Sequence, residues 1–97
     1  MNAKEILDTA GRLVSGERNR LHGSMFQNFD AIAEIWTAIL NAAGKGLDEP
    51  LNAHDVANMM EGLKIARRYS GAFNMDDYVD GAGYAACAGF VRAEMEK

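Results

Sequence analysis

The 97-residue sequence contains one cysteine and one proline, and it has no long uninterrupted apolar run. A single cysteine cannot form an intramolecular disulfide and excludes zinc sites built from paired CxxC motifs, so we expect a reducing, cytoplasmic setting. No segment reaches the roughly 18–20 apolar residues of a membrane span, and the N-terminus lacks a signal-peptide layout, so no membrane association is expected. Neither GxGxxG nor GxxxxGK[ST] occurs, which excludes the two commonest nucleotide-binding loops.

Basic residues are also scarce. Lys and Arg total 10 against 14 Asp and Glu, which gives a formal net charge of −4. Proteins that bind nucleic acid directly carry a basic face, so we do not expect direct nucleic-acid binding.

What the sequence does contain is helical periodicity, with apolar residues recurring every three or four positions and no strand-like alternation. The sequence therefore predicts an all-α fold, a single four-helix bundle-like domain over residues 1–97. The predicted helices span 3–15, 26–43, 53–69 and 75–95, separated by a polar loop at 16–24, a loop at 44–52 and a turn at 70–74. Because a core of this size gives marginal stability, we expect a homodimer or higher oligomer.

Two apolar stripes bear on function. The third predicted helix should bury Val56, Met59, Met60, Leu63 and Ala66. The fourth should bury Val79, Ala82, Gly83, Ala86, Cys87 and Phe90. Glycines at 81, 83 and 89 each cost a helix about 1 kcal/mol relative to alanine, which indicates close approach to another helix, subunit or ligand.

Basic side chains on the third helix and in the first loop are candidates for phosphate binding. Arg67 and Arg68 follow Lys64 by three and four residues, about one helical turn, and Arg18 and His22 stand in the loop at 16–24. Arg and Lys are the usual partners of phosphate. The alternative is that Lys64 and Arg68 form only surface ion pairs, with Lys64 snorkelling from the edge of the buried stripe.

Acidic side chains begin the fourth helix. Asp77 and Asp80 are three residues apart, and hard cations such as Mg²⁺ favour oxygen ligands in that arrangement. Asp30 and Glu34 could face them if the second and fourth helices were antiparallel neighbours. The alternative is that acidic residues in a first turn only stabilise the helix dipole. Tyr84, one turn beyond Asp80, could hydrogen-bond it, stack on a base or simply pack.

An ordered set of motifs resembles a family of small bacteriophage and prophage proteins of unassigned function. The motifs are Leu13-Val14-x-Gly16-x-Arg18, His22-Gly23, Asn28-Phe29-x-x-Ile32-Ala33-x-x-Trp36, Asp55-Val56-Ala57-x-Met59-Met60, Leu63-Lys64-Ile65-Ala66-Arg67 and Asp76-x-x-x-Asp80-x-Ala82-Gly83-Tyr84-Ala85-Ala86. The resemblance covers about residues 7–93 and implies the cytoplasm of a bacterial host.

A weaker resemblance is to phage nucleotide-modification-associated domains and to the all-α, MazG-type nucleotide pyrophosphohydrolases. It implies Mg²⁺ held by two helical carboxylate motifs and hydrolysis of nucleoside triphosphates. Asp77-x-x-Asp80 keeps the spacing of one such motif. Asp30 and Glu34 are four residues apart rather than three, so only half of that site is present.

Three hypotheses follow. The first is binding of a nucleotide-like phosphorylated ligand by Arg18, His22, Lys64, Arg67, Asp80 and Tyr84, with Asp77 and Asp80 as Mg²⁺ ligands. Sequestration or MazG-like hydrolysis would both fit, and binding without turnover is favoured. The second is a phage anti-defence protein that blocks a host immune complex, such as a CRISPR effector, by protein contact. The third is a structural helper without a ligand. Convergence of acidic and basic side chains from different helices would favour the first.

Overall fold

The computed structural model describes residues 1–15 and 24–97. Within these residues the chain forms four α-helices and no strand: α1 Ala3–Leu13, α2 Met25–Ala42, α3 Ala53–Arg68 and α4 Asp76–Met95. The predicted all-α fold is confirmed, and no helix boundary lies more than two residues from its predicted position. In the described part of the chain no helix combines the length and hydropathy needed to cross a membrane.

A capping residue fixes where α3 begins, and a local side-chain turn precedes α4. Asn52 accepts a hydrogen bond from the backbone N–H of Asp55, whose carboxylate accepts one from the Asn52 N–H, and these two bonds form a capping box. Asn74 Oδ1 accepts from the Asp76 N–H at 3.0 Å at the start of α4. Between them, Gly71 has a φ of 70°, a conformation that side chains with a Cβ rarely adopt, and it reverses the chain after α3.

Helix α3 lies between two neighbours, packing most extensively on α4 and also on α2, while α1 packs on α4. The buried cluster consists largely of small side chains, so the helices approach closely. Its members are Phe29, Ala33, Ala53, Val56, Ala57, Cys87, Ala88 and Val91. Trp36 of α2 is only partly buried and packs against this cluster.

The buried face of α3 differs from the predicted one. Met59, Leu63 and Ala66 are exposed, and Ala57 is fully buried in their place. Because α3 is covered on two sides, by α2 and by α4, its inward face is rotated toward α4. This rotation carries Lys64 from the edge of the apolar stripe to the helix interface.

The buried face of α4 also differs from the predicted one, since Ala86 and Phe90 are exposed. Two of its three glycines make the predicted close approaches. A Cβ at Gly83 would lie 3.3 Å from Val14 Cγ1 beside α1, and a Cβ at Gly81 would collide with the Arg68 guanidinium. Gly89 faces open space, with no atom within 4 Å of such a Cβ. The close approaches seen here are therefore made within one chain.

Candidate functional site

An ion pair joins α3 to α4 close to the turn between them. Lys64 Nζ lies 2.9 Å from Asp80 Oδ2, and the two side chains are 13% and 34% exposed. The other three ion pairs among the described residues are exposed pairs between residues three or four apart in sequence. Among the ion pairs of the described residues, Lys64–Asp80 therefore differs from the other three: its cation is mostly buried, and its two residues lie on different helices.

Arg68 adds a second cation, one helical turn closer than Lys64 to the end of α3. Its Nη2 donates a hydrogen bond to the Asp77 backbone carbonyl at 3.3 Å, and its Cζ lies 4.6 Å from the centroid of the Tyr78 ring. The Nε–H is buried and has no hydrogen-bond partner among the described residues. A buried donor without a partner carries an uncompensated desolvation cost, so it marks a place where the packing is not optimised for stability alone.

Gly81 makes room for the Arg68 guanidinium. A Cβ at this position would meet the Arg68 guanidinium, and it would also lie 3.8 Å from Lys64 Cβ. The absence of a side chain at Gly81 thus opens a slot, the Gly81 slot, in which the Arg68 guanidinium lies against α4 beside the stem of Lys64. Lys64, Arg68, Asp77 and Asp80 together are called the α3–α4 polar cluster below.

The structure brings together some of the predicted site residues and separates others. Lys64 and Asp80 are in contact, whereas the Arg67 side chain is exposed and makes no ion pair or hydrogen bond with any described residue. The Tyr84 ring lies 6.5 Å from the Phe29 ring at the edge of the core. Two further predicted residues, at positions 18 and 22, lie outside the described residues.

The acidic residues do not gather into a larger group. Asp77 is buried at the start of α4 and Asp80 is occupied by Lys64, while Asp30 and Glu34 are exposed on α2, which packs chiefly on α3. In residues 1–15 and 24–97 no three His, Cys, Asp or Glu side chains lie close enough to hold a metal ion together. Asp77 and Asp80 can therefore offer carboxylates to a cation only as a pair.

Sequence reasoning named Arg68 among the basic candidates but left it out of the predicted site, and it did not single out Tyr78. The signal for Arg68 was available: Ala57, Met60, Lys64 and Arg68 recur at three, four and four residues, which places the two cations on one helical face with apolar residues that are fully or partly buried. Gly81 offered a second signal, because a glycine opposite long side chains allows them to lie flat between two helices.

Because Lys64 is more buried than Asp80, we expect substitutions at the two positions to lower the free energy of unfolding by different amounts. Lys64→Met keeps an apolar stem in the slot and leaves Asp80 partly hydrated, so we expect a loss below about 1 kcal/mol. Asp80→Asn leaves a mostly buried ammonium with a neutral partner, and we expect a loss of about 2 kcal/mol. Urea unfolding of both variants and the double variant measures the coupling. Asp8→Asn, which breaks the exposed Lys4–Asp8 pair, is the control and should cost less than about 0.5 kcal/mol. Equal losses at positions 64 and 80 would contradict the asymmetry.

Residues 5–92 match the domain of unknown function DUF6378. The chain belongs to the DUF6378 family. This range contains all of α2, α3 and the α3–α4 polar cluster, so the cluster is part of the family domain itself.

Phage proteins are among the relatives of this DUF6378 chain. It is 36% identical over 85 residues to the Gene 55 protein of Mycobacterium phage D29, covering 88% of this chain and 52% of that protein. It is 38% identical over 80 residues to the Gene 55 protein of Mycobacterium phage L5, covering 82% of this chain and 47% of that protein. The chain spans about half the length of the curated relatives it matches. No solved structure matches it. The resemblance to small phage proteins is therefore confirmed.

Proposed function

We propose that this DUF6378 protein binds a phosphorylated, nucleotide-like small molecule at the α3–α4 polar cluster. The observation that carries the proposal is the convergence of Lys64 and Arg68, both largely withdrawn from water, with the Asp80 carboxylate and the Asp77 backbone carbonyl of the adjacent helix. Convergence of opposite charges from two helices is the arrangement that the ligand-binding hypothesis requires. Charges that served only solubility would be dispersed over the surface.

The cluster has hydrogen-bonding capacity to spare for an anion. An ammonium has three donors and a guanidinium five, whereas within the described chain Lys64 contacts one carboxylate and Arg68 donates to one carbonyl. Arg67, next in sequence and exposed, could approach the same anion from the solvent side. Because Asp80 is one-third exposed, the ion pair lies where a ligand can reach it. Phosphate oxygens would take up these donors in charge-assisted hydrogen bonds.

Mg²⁺ fits this cluster as a companion of the ligand. Mg²⁺ sites in nucleotide-binding proteins commonly use one or two carboxylates, with phosphate oxygens and water completing the shell. Asp77 and Asp80 provide such a pair. The ion would neutralise phosphate charge beside the carboxylates. We therefore propose that any Mg²⁺ binds together with the phosphates.

Binding without turnover is the form of the function that we favour. The MazG-type mechanism needs two helical carboxylate motifs, and only the Asp77-x-x-Asp80 spacing is present in the sequence. Sequestration of a nucleotide would need the cations of the cluster and one carboxylate pair. Arg18 and His22 remain predicted contributors to the same ligand.

Thermal unfolding with a panel of nucleotides and cyclic dinucleotides, each with and without Mg²⁺, tests the proposal. A ligand at a hundredfold excess over its dissociation constant should stabilise the protein by about 2.7 kcal/mol. Lys64→Met should abolish this stabilisation, and Asp80→Asn should remove its dependence on Mg²⁺. Lys4→Met makes the same change in an exposed ion pair and should leave the stabilisation intact. A panel without any stabilising member would overturn the proposal.

Protein contact is the second candidate, and exposed apolar side chains favour it. Leu7, Ile35, Ile39 and Phe90 are each more than half exposed, on three different helices. Such residues are common at protein interfaces. We propose that a second copy or a host defence protein covers some of them. Sedimentation tests the second copy: a dimer that Ile39→Glu dissociates supports it, and a 10.6 kDa monomer at micromolar concentration excludes it.

A further inference from the structure

An aromatic pair borders the polar cluster on the side of the α3–α4 turn. The Phe73 and Tyr78 ring centroids are 6.1 Å apart with an interplanar angle of 36°. Tyr78 also lies against the Arg68 guanidinium, 4.6 Å from its Cζ. Phe73 is 75% exposed, so much of its ring surface is available for contact. The pair therefore presents an open aromatic surface attached to a cation of the cluster.

The contacts place these groups in one continuous row. The Lys64–Asp80 pair adjoins Arg68 across the Gly81 slot, Arg68 adjoins Tyr78, and Tyr78 adjoins Phe73. The row runs from charged groups that can bind phosphate to an exposed ring on which a planar group can stack. A nucleotide has the same order, with phosphates at one end and a planar base at the other.

We infer that the ligand is a nucleotide whose base stacks on Phe73 while its phosphates contact Lys64 and Arg68. This inference rests on the proposed function and adds the requirement for an aromatic base. Every base presents a π-face to an aromatic side chain, so stacking discriminates nucleotides from base-free phosphates and only weakly among bases. Tyr84 was predicted from the sequence to stack or to pack, and its place beside Phe29 leaves Phe73 as the more exposed ring.

Paired ligands with and without a base test the inference by calorimetric titration. The nucleoside triphosphate that stabilises the protein best should bind about tenfold tighter than inorganic triphosphate, since loss of one stacked base typically costs about that factor. Phe73→Leu should weaken nucleotide binding about tenfold and leave the affinity for inorganic triphosphate unchanged. Phe73→Trp should retain the preference for a base. Tyr69→Leu is the matched control, because Tyr69 is an 88% exposed ring with no aromatic contact among the described residues.

The outcomes separate the two proposals. If the nucleotide and inorganic triphosphate bind equally well and Phe73→Leu changes neither affinity, base stacking is excluded while phosphate binding stands. If Phe73→Leu weakens both ligands equally, the ring has a structural role and the inference also fails. If Lys64→Met abolishes binding of both ligands and Phe73→Leu affects only the nucleotide, the row of groups is the binding site. If neither ligand binds, both proposals fail together.

Discussion

Val56→Asp should leave the protein unfolded in buffer. Val56 has no exposed surface and lies in the part of α3 that packs against the core cluster shared with α2 and α4. An aspartate there would either bury an unpaired carboxylate or remain protonated without a hydrogen-bond partner, and both states cost several kcal/mol. Domains of this size are stable by only about 5–10 kcal/mol, and the loss of packing adds to the charge cost. Far-ultraviolet circular dichroism should show the loss of most helix signal.

Asn58→Asp is the matched control for this prediction. It introduces the same carboxylate two residues away on an exposed face of α3, and we expect a change within about 0.5 kcal/mol. If Val56→Asp retained a cooperative thermal transition near that of Asn58→Asp, then Val56 would not be part of the core.

Gly83→Leu should be the second most damaging substitution, with an expected loss of about 3 kcal/mol. A Cβ at Gly83 already lies 3.3 Å from Val14 Cγ1, so the branched end of leucine has no room unless α1 moves away from α4. Hydrogen exchange should then show faster exchange across α1, because its packing partner in the described structure is α4. The transition midpoint in urea should fall accordingly.

Gly89→Leu provides the control for side-chain size. Gly89 lies on the same helix and no atom stands within 4 Å of its Cβ position, so leucine meets no obstacle there. Replacing a glycine in an exposed helix interior should stabilise the protein by about 0.5–1 kcal/mol. Equal effects at positions 83 and 89 would show that α1 does not pack closely on Gly83. A wild-type dimer that Gly83→Leu dissociates without loss of α1 protection would instead place this glycine at a subunit contact.

Much of the candidate site could be predicted from sequence. The structure differs from the prediction in which face of α3 is turned toward α4. Lys64, Asp77 and Asp80 were singled out because their chemistry is visible in their residue types and spacing. Arg67 was placed in the site and Arg68 was left on the surface, whereas in the structure Arg68 makes the contacts with α4. Adjacent residues on a helix differ by about 100° in direction, so a modest error in the buried face exchanges their surroundings.

Local information therefore determined the all-α architecture, and tertiary packing determined which face of each helix is buried. Helix positions follow from apolar periodicity, from the capping box at Asn52 and Asp55 and from the glycine after α3, all of which act within a few residues. The position of the Arg68 guanidinium against α4 depends instead on the absence of a side chain at Gly81, which is thirteen residues away in the chain and on another helix. A periodic pattern cannot encode that relation, because it records which residues are apolar and not which neighbour leaves space for a long polar side chain.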